Sequence, residues 1–195
     1  MDIQSESSAE HDQIGRWLSQ RSHARVRNTA ASDPDESLVM ATTIADRGIL
    51  RTLSEARQSN ALREIALAAG TALRNPAAHD DAKLAFVSRI GGLLSEPHLP
   101  LSIDATLMFW EVLLTPDTET RTTSAVQGAI MAALAEQLGS PDNLVRWSAA
   151  RGVASLVPAS AAQFRVRNRD LFADETVRAL AFPRMVLRRS SHLRN

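Results

Sequence analysis

The chain contains no cysteine and no tyrosine, and Lys83 is its one lysine. Without cysteine there is no thiolate nucleophile, no disulfide and no cysteine-ligated zinc or iron–sulfur site, which fits a reducing compartment. Aromatic residues are only 4% of the 195 positions, so a core has to come mainly from Leu, Ile, Val and Ala. Although 44% of the residues are hydrophobic, no run approaches the roughly 20 apolar residues of a membrane-spanning helix. The opening "MDIQSESSAEHD" is acidic and polar where a secretory signal would be basic and then apolar, so the expected location is cytoplasmic. Strand signals are scarce too, with few β-branched runs and no Asn-Gly or Asp-Gly hairpin turn between alternating residues.

What is present is one domain's length of chain with an uneven charge distribution. The formal net charge is +0. Residues 61–145 hold five basic and ten acidic side chains, a net −5, whereas residues 146–195 hold ten basic and three acidic, a net +7. Nearly all of the positive charge is Arg, whose planar fork pairs with carboxylates and phosphates. The last quarter is therefore a basic segment suited to an acidic partner.

Helical periodicity recurs along the chain. Ile14, Trp17 and Leu18 predict a first amphipathic helix after a flexible leader over residues 1–12. "DPDESLVMATTIADRGILRTLSEARQ" predicts two shorter helices broken near Gly48. "NALREIALAAGTALRN" sets Leu62, Ile65, Ala66, Ala69 and Leu73 on one stripe, with Asn60 as cap and Asn75-Pro76 as stop. Residues 80–95 predict another helix, with Gly91 and Gly92 permitting close packing. "LSIDATLMFWEVLLTP" is apolar on nearly every side and so is expected between neighbours. A polar loop, "TPDTETRTT", then leads into the helical "SAVQGAIMAALAEQL".

The most informative stretch is "SPDNLVRWSAARGVASL", residues 140–156. Gly139 is expected to end one helix, Ser140 to cap the next and Pro141 to occupy its first position. Val145, Ala149, Gly152, Val153 and Leu156 then share a face, with Trp147, Ala150 and Ala154 opposite. A helix with two buried sides and small residues suits a stack of helical hairpins. The order Pro141, Asp142, Val145, Arg146, Ala149, Ala150 resembles the second helix of a HEAT repeat. Within that superfamily, residues 124–158 are locally most similar to the tubulin-folding cofactor D family, which is far longer than this chain. The resemblance implies an all-α fold of antiparallel helix hairpins, stacked over residues 13–175 as a short HEAT/ARM-like right-handed solenoid and followed by a basic C-terminal segment, 176–195. It also implies that Asp142 and Arg146 form a structural ladder between repeats, and that the activity is chaperone-like binding of tubulin or microtubule components.

Chemical motifs are few. None of the histidines, His11, His23, His79, His98 and His192, pairs with another at a ligand spacing, and "HDD" at 79–81 reads as the acidic start of a helix. Neither a Gly-x-Ser-x-Gly elbow nor a phosphate-binding Gly-Lys-Ser/Thr loop occurs. Nothing brings Glu96 and Glu111 together as a carboxylate pair. The sequence thus predicts a non-enzymatic protein-binding scaffold with no cofactor and no metal. Its expected partner contacts are Trp147, Arg151, Arg178, Arg188 and Arg189. A nucleic-acid-binding protein, similar to the alkylpurine DNA glycosylases built on HEAT-like repeats and using the Arg-rich C-terminal surface, is the alternative; a bacterial effector scaffold is a third.

Overall fold

The structure, a computed structural model, describes residues 33–46, 55–95 and 103–183. The expected leader and first helix, and the arginines at 184, 188, 189 and 194, lie outside the described residues. Those described are all helical, without a strand: α1 (Pro34–Asp46), α2 (Glu55–Leu73), α3 (Asp80–Ser95), α4 (Ile103–Leu113), α5 (Pro116–Arg121), α6 (Ser124–Leu138), α7 (Asn143–Ala154), α8 (Pro158–Arg167), a 3-10 turn (Arg169–Phe172) and α9 (Glu175–Ala181).

Several boundaries follow the local chemistry read above. Asp80 and Asp81 stand in the first turn of α3, where the N-terminal end of the helix dipole favours carboxylates. Asn75-Pro76 follows the end of α2, and α6 coincides with "SAVQGAIMAALAEQL". Others differ. Asn60 is inside α2 and exposed, because the helix starts five residues earlier on a polar turn that carries no apolar signal. The polar loop contains α5, opened by Pro116 in its first turn and by a reciprocal capping box between Thr115 and Thr118. At the next corner Asp142, rather than Ser140, caps α7, leaving Pro141 just before the helix. The carboxylate accepts from the Leu144 N–H at 2.7 Å and the Val145 N–H at 3.4 Å, stabilising two otherwise unpaired donors.

The helices pack in two rows. In one, α1 lies against α3 and α3 against α6; in the other, α2 lies against α4, α4 against α7 and α7 against α9. Contacts of α1 with α2 and of α6 with α7 join the rows. The apolar α4 is, as expected, held between neighbours, and its Phe109, Trp110 and Leu113 are fully buried. Close approach within the second row depends on missing side chains. A Cβ on Gly152 of α7 would stand 2.8 Å from Trp110 Cβ and 2.8 Å from Leu134 Cδ2, and one on Gly70 of α2 would stand 3.0 Å from the Leu113 carbonyl oxygen. Gly91 faces Ala133 across α3 and α6, but Gly92 is exposed and adjoins nothing.

Buried polar groups tie helices together both between the rows and within one. Trp110 Nε1 donates to Gln137 Oε1 at 2.7 Å, and Gln137 Nε2 donates to the Gly91 carbonyl at 3.1 Å, so one amide links α4, α6 and α3. Ser148 Oγ of α7 donates to the Thr106 carbonyl of α4 at 2.5 Å. Left unmade in the interior, each of these groups would cost about 1–3 kcal/mol.

Candidate functional site

Helix α7 carries most of the residues singled out in the sequence. Its buried face comprises Val145, Ser148, Ala149, Ala150, Gly152 and Val153. Ala150, expected opposite that face, is therefore buried too, since α7 has α4, α6 and α9 around it. Trp147 is half-buried against the core, and its Nε1 finds no hydrogen-bond partner among the described residues. Arg151 is engaged: Nε and Nη2 both donate to Glu111 Oε2 of α4, at 2.9 and 2.5 Å. Glu111 thus has a cation as its neighbour.

Arg146 does not touch the Asp142 carboxylate. Its Nη1 donates to the carbonyls of Ser140 and Pro141 at 2.9 and 3.0 Å, and Nη2 reaches Asn143 Oδ1 and stands 3.9 Å from Asp174 Oδ2. Asp174 caps α9 as Asp142 caps α7, accepting from the N–H groups of Thr176 and Val177 at 2.7 and 3.0 Å. The sequence holds the signal: Asp-x-x-Val-Arg recurs at 142–146 and at 174–178, with Val145 and Val177 both buried. Arg178 stands on α9, half-buried, at the same register as Arg146 on α7.

Beyond α7 the second row borders a groove of about 1080 Å³. One wall is α8 and the 3-10 turn; facing it are the C-terminal ends of α4, α7 and α9. Three phenylalanines join α8, the 3-10 turn and the end of α9, with Phe164 edge-on to Phe172 at 6.1 Å and Phe172 tilted against Phe182 at 5.2 Å. Arg165 lies over the Phe182 ring, 5.1 Å from its centre, a cation–π contact. Arg165 and Arg169 line the groove, as does Glu111. No sequence motif announces the groove, because its lining is drawn from residues spread between 111 and 183.

A second polar cluster joins α1 to the start of α3. His79 Nδ1 hydrogen-bonds Asp35 Oδ2, and the His79 backbone N–H donates to Asp35 Oδ1 at 2.8 Å. That side-chain hydrogen bond, with the Asp35 charge, raises the His79 pKa above the ordinary histidine value; the same bond lowers that of Asp35. Close by, Asp80 Oδ2 accepts from Thr123 Oγ1 at 2.7 Å, and the buried Lys83 has its ammonium 3.9 Å from Asp80 Oδ1. Among the described residues no group of three or more His, Asp or Glu is arranged to hold a metal ion, and no helix is long and apolar enough to cross a membrane.

No protein-family model, curated protein or solved structure matches the chain.

Proposed function

We propose that the protein is a non-enzymatic binding scaffold in which the two rows form a short, HEAT-like stack of helix hairpins. The observation that carries this reading is the placement of α7 between α4 and α9, with Asp-x-x-Val-Arg repeated on the two successive helices. Repeat units that each lean on the next produce an elongated surface, and such surfaces bind partners by shape and charge without covalent chemistry. The local likeness of residues 124–158 to the tubulin-folding cofactor D family makes tubulin the specific partner proposed, and its acidic surfaces suit the basic last quarter of the chain. Retention of purified tubulin on the immobilised protein, weakened in a Trp147→Ala, Arg178→Glu variant, is the expected result; no retention removes tubulin from the proposal.

A second reading, nucleic-acid binding, draws on the exposed Arg167 and Arg169 beside Arg165. It predicts DNA affinity that falls steeply with salt as phosphate counterions are released. Arg167→Glu and Arg169→Glu would abolish such affinity, and would leave retention of a protein partner at Trp147 intact.

A further inference from the structure

We draw no further inference here: the strongest candidate, the open groove of about 1080 Å³ between α8 and the ends of α4, α7 and α9, carries nothing, because Arg165 on its wall is already stacked on Phe182 and nothing in the structure shows what covers it.

Discussion

At Gly152 α7 packs closely on α4 and α6, and the absence of a side chain there is a packing requirement, since the atoms a Cβ would meet belong to Trp110 and Leu134. Gly152→Ala is expected to destabilise the fold by about 1–3 kcal/mol, as overpacking does in a close-packed interior. Gly128, exposed in α6 with nothing nearby, provides the contrast: Gly128→Ala should stabilise by about 0.5–1 kcal/mol, because the helix gains propensity without a clash. Urea denaturation of both variants checks the pair. Gln137→Ala would leave the Trp110 indole N–H and the Gly91 carbonyl without their partner and should cost about 2 kcal/mol or more. At this scale the sequence was partly readable: the small residues of α7 announced close approach, whereas the Gln137 bridge, spanning three helices, left no local trace.

Caps and corners belong to the scale of the element. Asp142→Ala and Asp174→Ala should each cost about 1 kcal/mol in chemical denaturation, since each removes the acceptor for two N–H groups at a helix start. The Arg146–Asp174 approach adds little at 3.9 Å on a part-exposed surface. Between α1 and the start of α3, the His79–Asp35 pair predicts a pH dependence. The His79 pKa is raised on folding, so its contribution is fully present below the unfolded value near 6.5 and is lost as pH rises through the higher folded value. The Asp35 pKa is lowered, so its contribution is present above the unfolded value near 3.8 and is lost as pH falls through the lower folded one. Thermal midpoints measured against pH should show a small alkaline decrease above the ordinary histidine range, absent in His79→Gln. Helix existence was legible in the apolar stripes of α2, α3, α4 and α6. Boundaries were less so: α5 has six residues, too few for periodicity to register, and the polar first turns of α2 conceal its start behind Asn60.

For the whole molecule, helix class followed from periodicity and absent strand signals, but row order did not, because a stripe shows that a face is buried without saying by which helix. The repeated Asp-x-x-Val-Arg was the available clue to order, and it emerges once Asp142 and Asp174 are seen to cap successive helices of one row. The groove had no clue in the sequence, since α4, α7, α8 and α9 build it only after the rows have formed. The claim on which the functional proposals rest is that these rows are open, with α2 and α9 at opposite ends. Since the described chain has no cysteine, spin labels at the exposed positions Arg63→Cys on α2 and Thr176→Cys on α9 report their separation directly by pulsed electron paramagnetic resonance. Neighbouring helices lie about 8–10 Å apart, so three steps along the row predict a single distance population at about 25–40 Å. A population below about 15 Å, the separation of labels on touching helices, would mean that the rows close into a bundle and would contradict the account.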